Sequence, residues 1–77
     1  MPYINVKVIE NVFTPEEKAQ MLKGVSEAIV AVEGENLREY THVVLEEVRS
    51  GDWAIGGQPM STEAVQGVRA APARGDT

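Results

Sequence analysis

Four residues, Thr14-Pro15-Glu16-Glu17, stand between two β-branched runs and leave this chain few folds. Threonine is a good N-cap, proline is preset for the first helical position, and a glutamate three residues after the cap completes a capping box. A helix therefore starts at Pro15. Ahead of it, Pro2-Tyr-Ile-Asn-Val-Lys-Val-Ile9 alternates Pro2, Ile4, Val6 and Val8 against Tyr3, Asn5, Lys7 and Ile9, the period of a strand. Behind it, Tyr40-Thr-His-Val-Val-Leu-Glu-Glu-Val48 reads as a second strand. Strand, helix and strand in this order make a right-handed βαβ unit with parallel strands.

Within the helix, Leu22, Val25, Ile29 and Val32 recur at helical spacing, flanked by Met21 and Ala28. Lys18, Gln20, Lys23 and Glu27 fall mostly on the other side, and Gly34 suits the position after the last turn. Past the second strand, the Gly56-Gly57 pair in Ser50–Pro59 predicts a tight hairpin or a close backbone approach, with a flexible loop as the alternative. Ser61 to Gly67 reads as a short helical turn or a strand extension. From Val68 the periodicity ends. The expected organisation is one α+β domain over 1–67, a βαβ protomer with a C-terminal hairpin, followed by a flexible tail over 68–77.

Seventy-seven residues bury little surface, and small scaffolds usually need a staple. The absence of cysteine excludes disulfides and thiolate metal sites, and His42 as sole histidine cannot build a zinc site by itself. No metal or other cofactor is expected. Partner subunits remain as support, and a 43 % hydrophobic content gives them something to bury. The net charge of −5 argues against nucleic acid and against an anionic membrane surface. No apolar run reaches the length of a spanning helix, and no basic-then-apolar leader opens the chain. The chain reads as a soluble cytoplasmic homo-oligomer.

Pro2 carries the chemistry. Removal of Met1 would leave a secondary amine at the head of a strand. An α-amino group has an ordinary pKa of roughly 7.7–8.0, and an apolar pocket disfavours its protonated form. A proline amine starts more basic, so the pocket must do more; once it does, Pro2 becomes a general base near neutral pH. The alternative is a proline that only opens an edge strand, where a missing N–H costs nothing.

Met1-Pro2, the βαβ spacing, the helical Val25-Ser26-Glu27-Ala28-Ile29 segment and above all Gly51-Asp-Trp-Ala-Ile-Gly-Gly57 resemble the short 4-oxalocrotonate tautomerase-like proteins of the tautomerase superfamily. The resemblance spans residues 2 to about 62. It implies subunit pairs that share a four-stranded sheet backed by helices, and three such pairs in a hexamer. It also implies a Pro2 amine that moves a proton between carbons of a small enol or keto acid. The aromatic residue of the hairpin, here Trp53, would line the pocket and lower the amine pKa; as a large aromatic it also suits a core or interface anchor.

The sequence departs from the family at the substrate carboxylate. Members similar to it carry one arginine just after the first strand, where this chain has Glu10-Asn-Val-Phe13 with one residue more than usual, and a second at the position of His42. Neither asparagine nor histidine reproduces a guanidinium fork. His42 is then a weaker carboxylate ligand, a second acid/base, or a plain strand residue. Arg38 and Arg49 flank the second strand and are either carboxylate contacts, in part across a subunit boundary, or solvated surface charges. Glu46-Glu47 is no catalytic dyad, because strand neighbours point to opposite faces. Tyr3 and Tyr40 are candidate proton donors whose commoner role is packing. The leading expectation is a tautomerase with Pro2 as base. The alternatives are a Pro2-dependent hydratase or dehalogenase-type lyase, for which no water-activating carboxylate is evident, and a non-catalytic assembly protein of the same fold.

Overall fold

The computed structural model describes residues 1–72. Strand β1, Tyr3–Ile9, leads to helix α1, Pro15–Glu33, and a 3-10 helix, Glu35–Tyr40, delivers the chain to strand β2, His42–Val48. Strands β3, Trp53–Ile55, and β4, Gln58–Met60, form a hairpin, and helix α2, Thr62–Ala70, follows. β1 and β2 pair in parallel, Tyr3 beside His42 through Ile9 beside Val48. The βαβ unit, the hairpin and the mixed strand directions make the architecture α+β, as expected.

The capping box forms as its sequence dictates. Glu17 N–H donates to Thr14 Oγ1 at 3.1 Å, and Thr14 N–H donates to Glu17 Oε1 at 2.9 Å. Gly34 closes α1 with φ at +102°, a backbone that side chains rarely adopt, and its N–H reaches Val30 O at 2.9 Å. Gly56 and Gly57, at φ +59° and +82°, supply the two positive φ values of a two-residue hairpin turn.

Alternation along the strands turns Ile4, Val6, Val43 and Leu45 toward α1 and leaves Tyr3, Asn5, His42, Val44 and Glu46 on an open face. Contacts agree with this division. Lys18 of α1 pairs with Glu47 at 3.1 Å, whereas Glu46 takes Asn5 at 2.5 Å and Lys7 at 3.3 Å on the open face. Glu46 and Glu47 therefore do face apart. Lys18, expected on the outer side of α1, lies half-buried against the sheet.

Three expectations shift. Tyr40 belongs to the 3-10 helix and not to the second strand, because residues 35–40 turn back along α1 before β2 begins. The covered side of α1 runs through Leu22, Ser26, Ile29, Val30 and Glu33, so Val30 is buried while Val32 is 90 % exposed. The boundary at 67/68 falls inside α2, where Ser61 caps the helix by accepting from Ala64 N–H at 3.1 Å. Residues 73–77 of the expected tail lie outside the described residues.

The protomer is open. Only Ile9, Val12 and Val30 are buried apolar residues among those described. The chain exposes 5804 Å², where a compact fold of 8.4 kDa exposes about 4,600 Å². Among the described residues, no helix is long and apolar enough to cross a membrane.

Candidate active site

The parallel sheet has two ends, and the chemistry-bearing residues divide between them. At the N-terminal end, His42 N–H donates to Pro2 O at 3.1 Å and fixes Pro2 against β2. Pro2 is half-buried, while Met1 is 83 % exposed and joined to Pro2 through an amide. One residue before the Tyr3–His42 pair, Pro2 and Thr41 stand side by side on the helix-facing side of the sheet. The His42 side chain points to the opposite face, next to Tyr3. Its backbone holds Pro2; its imidazole does not share Pro2's side of the sheet.

Beside Thr41 sits Glu33, the last residue of α1. The Thr41 hydroxyl lies within hydrogen-bond reach of both Glu33 Oε2 and Leu37 O, with a single proton to give. Glu33 Oε1 is buried without a hydrogen-bond partner. Glu33 was not singled out in the sequence, although it follows Ile29 by one helical turn on the sheet-facing side.

Arg38 leaves the 3-10 helix toward two carboxylates. Its Nη1 donates to Glu27 Oε2 at 2.7 Å and its Nε to Glu35 Oε1 at 2.5 Å. Those hydrogen bonds hold Arg38 firmly protonated and draw Glu35 below the usual carboxylate range. A substrate carboxylate would have to displace one of them. Arg49 lies beyond β2 at the other end of the sheet, exposed.

At that C-terminal end the hairpin and α2 close over the β1–α1 corner. Trp53, Ile55 and Met60 of the hairpin meet Val8, Ile9, Val12 and Phe13, with Val65 of α2, around an apolar cavity of about 240 Å³. A chain of polar contacts secures it. Ser50 N–H donates to Glu10 Oε2 at 2.9 Å, Thr62 N–H to Ser50 Oγ at 2.8 Å, and Thr62 Oγ1 to Glu10 O at 2.6 Å. Asn11 adopts φ +62°, a conformation asparagine tolerates better than most residues, with Glu47 on its N–H and Gln66 on its carbonyl.

Arg69 finishes the clasp. It lies over the Phe13 ring at 4.8 Å, donates to Val12 O at 3.1 Å and pairs with Glu17. The guanidinium, with the Thr14 N–H behind it, pushes the Glu17 carboxyl down to about 2 from its ordinary 4.5. A carboxylate whose folded value is depressed stabilises the fold above its unfolded value and loses that contribution as pH falls through the folded value. α2 is therefore expected to loosen from α1 progressively between about pH 4.5 and 2. Faster amide exchange in residues 62–70 than in α1 over that window would show it; equal rates would place the clasp elsewhere. Arg69 lies in the stretch read as tail, where no periodic signal marked it.

Pro2 and Trp53 are thus at opposite ends of β1. Seven residues at about 3.3 Å each put them about 20 Å apart within one chain. Of the candidates, the structure brings Pro2 and the His42 backbone together and separates both from Trp53 and Arg49.

Comparison with known proteins agrees with this architecture. A family model described as tautomerase enzyme matches residues 2–63. The chain is 32 % identical over 66 residues to probable tautomerase K2 of Dickeya dadantii, covering 86 % of this chain and 97 % of that one. Among solved structures it resembles YwhB, a homologue of 4-oxalocrotonate tautomerase, at a TM-score of 0.66 and 33 % identity, over 75 % of this chain and 92 % of YwhB. It also resembles TomN, a 4-oxalocrotonate tautomerase homologue in the tomaymycin biosynthetic pathway, at 0.68 and 28 %, over 94 % of this chain and all of TomN (100 %). A parallel βαβ unit headed by a proline and closed by a glycine-paired hairpin is a tautomerase fold. The chain belongs to the tautomerase family, among its 4-oxalocrotonate tautomerase-like members.

Proposed function

We propose that this protein is an isomerase that interconverts the keto and enol forms of small carbonyl acids, with the amine of Pro2, freed by loss of Met1, as general base. The observation that carries the reading is Pro2 pinned by the His42 N–H at the mouth of the sheet, in a chain of this family. The amine nitrogen takes a proton from one carbon or oxygen of the substrate. The bonding pair stays behind as an enolate, and the same proton returns to another atom. No cofactor enters that balance.

The apolar cavity belongs to the same proposal. A single chain keeps it about 20 Å from Pro2, so a second copy must bring it there. β1 pairs with β2 on one edge only, and an antiparallel pairing of two β1 edges sets the Pro2 end of one copy against the cavity end of the other. The lining offers no cation, and Arg38 is engaged. Both features favour an aryl or alkyl group on a monoacid over a dicarboxylate, and a desolvated amine over a protonated one.

The test is loss of enol absorbance from a phenyl-bearing enol pyruvate, alongside the intact mass. Conversion by protein lacking Met1 is expected. Retained Met1 with no conversion would overturn the reading and leave the non-catalytic alternative. Trp53→Ala is expected to lower turnover several-fold and move the acid limb of the pH–rate profile upward, since water then reaches the amine. An unchanged profile in an assembled variant would remove Trp53 from the site.

A further inference from the structure

Glu33 is an anomaly of this fold. Its Oε1 is buried and receives no hydrogen bond, and its Oε2 has at most a share of the Thr41 hydroxyl proton. Taking a carboxylate out of water is costly unless it is paired, and removing a partner leaves that cost uncompensated. Among the described residues, the ion-paired cations are elsewhere: Lys7 on Glu46, Lys18 on Glu47, Arg38 on Glu27 and Glu35, Arg69 on Glu17. None of these pairs includes Glu33.

Thr41 links Glu33 to the Pro2 end of the sheet. Thr41, which touches Glu33, is the lateral neighbour of Pro2 on the same side of the sheet, and the His42 N–H bond to Pro2 O fixes that register. In the chain with Met1 attached, the Pro2 nitrogen is a tertiary amide with no hydrogen to offer. Excision of Met1 turns it into a donor and a cation.

We propose that Glu33 is the counter-charge of the Pro2 amine, its buried Oε1 accepting the N–H that loss of Met1 creates. The inference rests on the reading of Pro2 as a free amine. Glu33 is then a positioning residue: it touches no substrate and acts through Pro2. It orients the nitrogen lone pair and stabilises the prolinium that forms while the proton is in transit. Its charge opposes the desolvation that lowers the amine pKa, so the two set the working pH between them. The other titratable groups near this end of the sheet are Tyr3 and His42 on the far face, and Glu35, Arg38, Glu39 and Tyr40 of the 3-10 helix, with Arg38 engaged by Glu27 and Glu35; Lys7, Glu46 and Glu47 lie further along β1 and β2.

The experiment follows the Pro2 nitrogen by NMR in full-length protein labelled with 15N-proline, through a pH titration, with intact mass recorded. Glu33→Gln is expected to lower the titration midpoint of that nitrogen by about one unit, because an opposite charge at this range favours the protonated form. Thr41→Val, which leaves the charge and frees its orientation, is expected to shift it the same way by less. The acid limb of the pH–rate profile is expected to move with the midpoint. Identical midpoints in wild type and Glu33→Gln would overturn the proposal, as would a mass that retains Met1. Should Glu33→Gln fail to fold, an unshifted midpoint in Thr41→Val overturns it instead. A shifted midpoint in protein that turns over no enol substrate would keep Glu33 as counter-charge and discard the tautomerase reading.

Discussion

Replacing Pro2 by alanine is expected to lower turnover of a phenyl-bearing enol pyruvate by about 10²- to 10⁴-fold, the range that a positioned general base contributes. Alanine is small enough for Met1 still to be removed, so the variant keeps a terminal amine. It loses the ring that sets the backbone at the head of β1 and the secondary character of the nitrogen. The fold should survive, because Pro2 precedes β1 and its carbonyl bond to His42 N–H needs no side chain. The decline should fall on kcat more than on KM, since the amine acts on the proton and not on the carboxylate. Full activity of Pro2→Ala at every pH would show that neither the proline ring nor its secondary amine is needed for the proton transfer.

Sedimentation at micromolar concentration is expected to give a mass several times 8.4 kDa, with a hexamer built from three dimers as the proposed state. The protomer exposes about 1,200 Å² more than a compact chain of its mass, comfortably more than one partner buries in an interface of standard size. That excess includes Val32, Ile55 and Val68, all largely exposed. It also includes the open edge of β1, which presents unpaired backbone groups to any second strand. A monomer at that concentration would sink the assembly and, with it, any site that needs Trp53 from another copy.

Local chemistry made the architecture readable. The capping box at Thr14, the alternation in Tyr3–Ile9 and the glycine pair at 56–57 each specify backbone geometry within a few residues, and each forms as written. What escaped depends on contacts distant in sequence. Val32 has the spacing of a core residue, but at its C-terminal end the covered side of α1 passes through Val30 and Glu33 instead. Arg69 gave no periodic signal because its role lies in the Phe13 ring and the Glu17 carboxylate, more than fifty residues away (|i−j| = 52 for the pair). Glu33 carries no sequence signal of its own, because its contact with Thr41 forms only once the 3-10 helix brings the chain back beside the end of α1. Arg38 has the charge for a substrate carboxylate, and the fold spends that charge on Glu27 and Glu35.

The distance between Pro2 and Trp53 has a consequence for how such a protein responds to concentration. Each chain carries Pro2, the proposed base, at one end of β1 and the apolar cavity at the other, two half-sites that cannot meet intramolecularly. In the proposed assembly, catalysis is then a property of the complex and is linked to subunit dissociation by mass action. Dilution below the dissociation constant switches the enzyme off before it unfolds, and an interface substitution far from Pro2 acts on the rate as if it lay in the active site.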